Sequence, residues 1–196
     1  MSEKIIKAHP LNEIERKICQ MVECEKDTIV NLLLNLIKID SRSYDTEKYS
    51  DMSEVFSYAQ DFMDSIGFTT EIYKAPHQLE KENAGKKEWP NLIAYIEERD
   101  HSKKSKTHGK TLQLNGHLDV VPFMENKWDE GAGPLRPLIK DGLIYGRGAC
   151  DMKGGVASQM VACKVFKELG LPFNGRLQLW CIPDEEMDGL YGARYM

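Results

Sequence analysis

No apolar stretch in the chain approaches the roughly 20 residues that a membrane-spanning helix needs, so a helical membrane protein is not expected. The opening residues, Met1-Ser2-Glu3-Lys4-Ile5-Ile6-Lys7, hold no apolar core of signal-peptide length. Cysteine is scarce: Cys19, Cys24, Cys150, Cys163 and Cys181 form no CxxC pair, and their odd count leaves one over in any pairing. That excludes a disulfide framework and fits reduced thiols in the cytoplasm. A basic stripe is missing too. The net charge is -5, and the Lys103-Lys104-Ser105-Lys106 cluster is short enough to read as a solvated turn, so nucleic acid is not the expected partner. Lys153-Gly154-Gly155 lacks the GxxxxGK[ST] pattern of a phosphate loop, and no internal repeat or low-complexity tract occurs.

What the chain does have is enough apolar residue, 41% of 196, to bury one core. Helical periodicity marks 12–22, 27–38 (Ile29, Leu32, Leu33, Leu36 and Ile37 on one face, Asp27 as N-cap), 53–66 with Gly67 as the stop, and 154–169 with Gly170 at its end. Strands are expected over 69–73, 91–96, 111–115 and 175–182, and a hairpin over 138–145 around Asp141-Gly142. Residues 76–90 and 97–110 read as exposed loop. Strand, loop, helix and strand in succession indicate an α/β fold with ligands at the carboxyl ends of strands.

Three polar segments fall at such ends. Asp184, Glu185 and Glu186 close the apolar run Leu177–Pro183, where three carboxylates repel one another and call for a cation. His117 and Asp119, two apart in Gly116-His117-Leu118-Asp119, project to one side of an extended chain, so the acid can fix the imidazole. Asp151 stands between Gly146-Arg147-Gly148-Ala149-Cys150 and Gly154-Gly155, either as a carboxylate that bridges metal ions or as the cap of the following helix. Cys150 beside it reads as a small buried hydrophobe rather than a ligand. Together these segments suggest a metallohydrolase, in which one carboxylate of the acidic cluster ligates metal and its neighbour serves as general base.

With GHLDVVP, Trp128 before a glycine-rich loop, DGLIYGRGACDMKGG and PDEEMDGLYGA in that order, the chain resembles the M20 family of metallopeptidases and deacylases, closely from Leu112 to Ala193. The resemblance implies a three-layer catalytic domain with a mixed, largely parallel sheet flanked by helices, with residues 1–26 as an N-terminal helical extension and 111–193 as the motif-bearing core. It makes His117 a ligand of one zinc, Asp151 the carboxylate bridging two, and Glu186 a ligand of the other. Glu185 becomes the general acid/base and Asp119 the acid that orients His117, and a cis peptide is expected at Asp151-Met152. Two zinc ions per full-length subunit are implied, with cobalt or manganese as substitutes. The implied reaction is amide hydrolysis of N-acyl amino acids. The alternatives are a dipeptidase or aminopeptidase of the same family, or a non-catalytic half that assembles with a separate C-terminal half. Family members are roughly twice as long, so the chain is expected to be a truncated N-terminal portion, without the lid and dimerisation domain through which the full-length parent forms a homodimer, and with little activity alone.

Overall fold

A computed structural model describes residues 10–43, 51–75, 89–98, 109–124, 128 and 131–196. Helix α1, Glu13–Cys24, opens with a capping box in which the Asn12 side chain accepts the Glu15 N–H and the Glu15 carboxylate accepts the Asn12 N–H. Helix α2 spans Lys26–Lys38, so it starts before Asp27, and Glu25 occupies the N-cap position instead. No side-chain cap forms there, and one oxygen of the Glu25 carboxylate pairs with the Lys164 ammonium. Helix α3, Ser53–Ser65, ends ahead of Gly67, whose φ of 80° favours a residue without a Cβ. Helix α4 spans Lys153–Leu169.

The strands are β1 (Thr69–Ala75), β2 (Trp89–Glu98), β3 (Lys110–His117), the hairpin pair β4 (Leu138–Lys140) and β5 (Leu143–Tyr145), and β6 (Gly175–Ile182). Asp141 and Gly142 form the hairpin turn with φ of 53° and 77°, as the dipeptide predicts. Strand β2 is longer than its apolar run suggested and takes in Trp89, Pro90, Glu97 and Glu98 from the segments expected as loop. Strand β3 likewise takes in Lys110, and residues 76–88 and 99–108 lie outside the described residues.

The main sheet has the order β1-β2-β6-β3. The α/β class and the mixed sheet are as expected, but the parallel share is smaller: β3 pairs β6 in parallel, while β1–β2 and β2–β6 are antiparallel. A parallel pair needs a crossover, and only β3 and β6 are neighbours joined through a helix, α4. Leu177, Leu179 and Cys181 of β6 share one core with Leu92 and Ala94 of β2, with Val55, Phe56, Ala59 and Met63 of α3 and with Val156, Met160 and Cys163 of α4. Both sheet-contacting helices therefore lie on one face, and α1 and α2 pack behind α4. The described residues supply two of the three expected layers. Each fully buried large apolar side chain in this core contributes about 1.5–3 kcal/mol.

Two features bring the sheet to the site. A Cβ on Gly116 would lie 2.7 Å from Val156 Cγ2, so glycine lets the end of β3 close on α4 and sets His117 at the strand terminus. The chain beyond β3 is then held by Ser41 and Ser43: Val120 N–H donates to the Ser41 carbonyl, Ser43 N–H donates to the Val120 carbonyl, and the Ser41 hydroxyl donates to the Leu118 carbonyl. Among the described residues no helix is long and apolar enough to cross a membrane.

The cysteines divide by environment. Cys19, Cys24 and Cys150 are exposed, whereas burial pushes the Cys163 and Cys181 thiols up to about 12. The exposed position of Cys150 differs from the buried one expected, because the turn before α4 carries it outward. Since the thiolate is the reactive form, a chromogenic disulfide reagent is expected to label Cys19, Cys24 and Cys150 in the native protein. Raising the pH from 7 to 10 should add no further label while the fold persists, and denaturant should release Cys163 and Cys181.

Candidate metal centre

His117 ends β3, Asp151 lies in the turn before α4, and Glu185 and Glu186 form a 3₁₀ turn two residues beyond β6. The parallel pairing puts His117 opposite Ile182, so these ends meet in space although 66 residues separate Asp119 from Glu185. One ligand atom each from His117, Asp151 and Glu186 lies within 4.8 Å of the other two. His117 is buried, Glu186 half-buried, and the Asp151 and Glu185 carboxylates face the opening. The Asp151-Met152 peptide is cis.

The hydrogen bonds around His117 define its protonation. Nδ1 lies 3.0 Å from the Asp119 carbonyl oxygen, which can only accept, so Nδ1 carries a proton. Nε2 faces Asp151 Oδ1 at 3.0 Å and Glu185 Oε2 at 3.6 Å. Two carboxylate oxygens therefore surround Nε2, a setting that favours a second proton or a cation there. Burial alone disfavours the imidazolium, but the Asp119 and Asp151 carboxylates outweigh it and raise the His117 pKa to about 9. Burial raises Glu186 as well; His117 opposes this, while the Asp151, Asp119 and Glu185 charges add to it. A divalent ion meets both demands, since it replaces the proton on Nε2 and offsets the converging carboxylates. One imidazole nitrogen and two carboxylate oxygens form a donor set that could hold a divalent metal ion.

Asp119, expected to orient the imidazole, is fully buried. Its carboxylate stands 3.4 Å from His117 Nδ1, farther than its own backbone carbonyl. Its two oxygens instead accept the backbone N–H groups of Glu185 at 3.2 Å and Glu186 at 3.1 Å. One side chain thus fixes the acidic turn relative to β3. Asp184, left without a chemical assignment by the sequence, organises the same turn from inside. At φ 66° its carbonyl accepts the Gly189 N–H at 2.7 Å, and its carboxylate accepts the Tyr191 N–H at 3.1 Å. Asn91 anchors the far end of that loop, donating to the Tyr191 carbonyl at 2.9 Å.

Three contributors escaped the sequence. The Ser41-Arg42-Ser43 segment and Asn91 read as ordinary loop and strand residues; the period-two spacing of the serines is the one signal that an extended segment pairs there. Lys153 was noted only within a failed phosphate-loop pattern. It is buried, with Nζ donating to the Leu36 carbonyl at 2.8 Å and the Ile39 carbonyl at 2.9 Å, so it points into the fold rather than toward a ligand.

Residues 113–196 match the sequence model of peptidase family M20/M25/M40. Among solved structures the chain is similar to human carnosine dipeptidase 1, with a TM-score of 0.73 and 22% identity over 93% of this chain and 37% of that one. It is also similar to the dipeptidase Dug1p from Saccharomyces cerevisiae (TM-score 0.71, 19% identity, 91% of this chain and 36% of that one). An M20 family metallo-carboxypeptidase from Sulfolobus solfataricus gives a TM-score of 0.60 and 22% identity over 82% of this chain and 32% of that one. At these identities the structures establish a shared fold, and the chain spans about a third of their length. The matched stretch, which is less than half of the chain, contains every one of the converging residues His117, Asp119, Asp151, Glu185 and Glu186.

Proposed function

We propose that the chain carries a zinc-binding part of a hydrolase acting on amide or peptide bonds, with His117, Asp151 and Glu186 as ligands and Glu185 as the proton carrier. The observation that carries this reading is the meeting of the three ligand atoms within 4.8 Å beside a half-exposed carboxylate on the adjacent residue. A bound zinc ion supplies positive charge that polarises the scissile carbonyl and makes water acidic enough to attack at neutral pH. The Glu185 carboxylate takes a proton from the attacking water and returns it to the departing nitrogen. Asp119 holds the Glu185 and Glu186 amides, keeping proton carrier and ligand in register with His117. Asp151, whose side chain is largely exposed, is the residue with an oxygen to share with a second ion; two zinc ions and a homodimer for the whole protein belong to the same proposal.

Two substrate classes follow from this chemistry. N-acyl amino acids are the first, for which the leaving group is the amino nitrogen of an amino acid. Dipeptides are the second, supported by the fold shared with human carnosine dipeptidase 1 and the yeast dipeptidase Dug1p. Release of free amino acid from N-acetyl and N-succinyl amino acids and from a dipeptide panel, measured with zinc and again with chelator, tests both. From the whole protein, chelator-sensitive and zinc-restored release from one class is the expected result, with little release from these 196 residues alone. Release from either class that survives complete removal of metal contradicts the mechanism.

A further inference from the structure

Lys153 sits where three pieces of the site's support meet. Its Nζ donates to the carbonyls of Leu36, in the last turn of α2, and of Ile39, the C-cap of that helix. Carbonyls at a helix end lack intrahelical donors and gather the negative end of the helix dipole, so an ammonium is the fitting partner. The stem of the same side chain crosses the turn that bears Asp151: a Cβ on Gly148, at φ 83°, would lie 3.0 Å from Lys153 Cδ and 2.8 Å from Val120 Cγ1. A Cβ on Gly146 would lie 2.6 Å from Ile37 Cγ2, which shows how closely the end of α2 rests on that turn. Val120 follows Asp119 directly and is itself bound to Ser41 and Ser43, just beyond α2. The end of α2, the 146–152 turn and the 118–120 segment thus converge on one buried side chain.

We propose that Lys153 is a positioning residue for the metal site, fastening the end of α2 to the turn that presents Asp151 and to the segment that presents Asp119. The assignment rests on the functional reading above. Lys153 touches no reacting atom; it acts through Asp151, two residues before it, and through Asp119, beside Val120. A residue of purely structural value would lower the stability of the fold without altering the geometry of the ligands. A positioning residue changes the affinity for metal even where the fold survives, since supporting groups around a metal site are typically worth about 10- to 100-fold in affinity.

The test compares Lys153→Met with Leu36→Ala in the whole chain. Leu36 is fully buried in the same region, but its contact with Lys153 is made by a backbone carbonyl that the alanine variant keeps. Zinc affinity is read by competition with a chromophoric chelator, and apo-protein stability by the melting midpoint. The expected result is that K153M weakens zinc binding about 10- to 100-fold, whereas L36A lowers the melting midpoint at least as far and leaves zinc affinity within about twofold of wild type. If K153M does not fold, Lys153→Gln retains two donors on a shorter, uncharged side chain and should fold with zinc affinity reduced at least about threefold. Tight wild-type binding that K153M or K153Q retains, or an equal loss in L36A, overturns the positioning role and leaves the functional reading intact. Failure of the wild type to bind zinc at all sinks the functional reading and this assignment with it.

Discussion

Replacing His117 with alanine is expected to weaken zinc binding by at least about 100-fold and to remove the thermal stabilisation that zinc confers on the wild type. His117 is the buried member of the ligand set and the sole nitrogen in it. Its Nδ1 proton is committed to the Asp119 carbonyl, so its Nε2 is already aimed at Asp151 before any ion arrives. The alanine leaves two half-exposed or exposed carboxylates, which hold divalent ions weakly in water. The stabilisation at stake can be sized: zinc at 100 times its dissociation constant adds about 2.7 kcal/mol. For a chain of this size that corresponds to a rise of about 5–10 °C in melting temperature. Differential scanning fluorimetry with and without zinc checks it. An equal zinc shift in wild type and H117A would remove His117 from the ligand set.

The substitution Glu185→Gln is expected to have a different signature: zinc affinity within about threefold of wild type and hydrolysis reduced about 10²- to 10⁴-fold, the usual worth of a positioned general acid or base. Glutamine has the same shape, and the backbone N–H of residue 185 stays bound to Asp119, so the turn keeps its place. The side chain is half-exposed, so no buried charge is stranded by the change. What disappears is the ability to accept a proton. Steady-state rates on the substrate that the wild type hydrolyses, set beside a zinc titration of the same preparation, separate chemistry from binding. Glu186→Gln is the natural contrast, since a lost ligand moves both quantities. An E185Q enzyme with undiminished turnover would assign the proton to another group.

Much of this was legible in the chain itself, for reasons that differ by element. The faces of α2, α3 and α4 repeat with helical period because each buries one side, α3 and α4 against the sheet and α2 against α4, and Gly67 and Gly170 end their helices at positive φ. The Asp141-Gly142 turn fixes its own hairpin. The converging segments were readable because carboxylates at the ends of apolar strands have few uses other than chemistry. The antiparallel placement of β2 beside β6 was not, since a strand's partner is set by the whole sheet and leaves no local pattern. Asp27 looked like a cap, yet the helix begins two residues earlier than that cap implies, with Glu25 at the N-cap and paired to Lys164, 139 residues away. The same blindness to distance hid the use Asp119 makes of its carboxylate on the amides of Glu185 and Glu186, and the inward direction of Lys153.

Central to the proposed function is that His117, Asp151 and Glu186 hold a metal ion together. Crystals of the protein grown with zinc, measured above and below the zinc absorption edge, test it most directly. An anomalous peak bonded to His117 Nε2 and to carboxylate oxygens of Asp151 and Glu186, at about 2.0–2.2 Å from each, is the predicted result. Fully occupied zinc elsewhere on the protein, with no anomalous density among these three side chains, would contradict it.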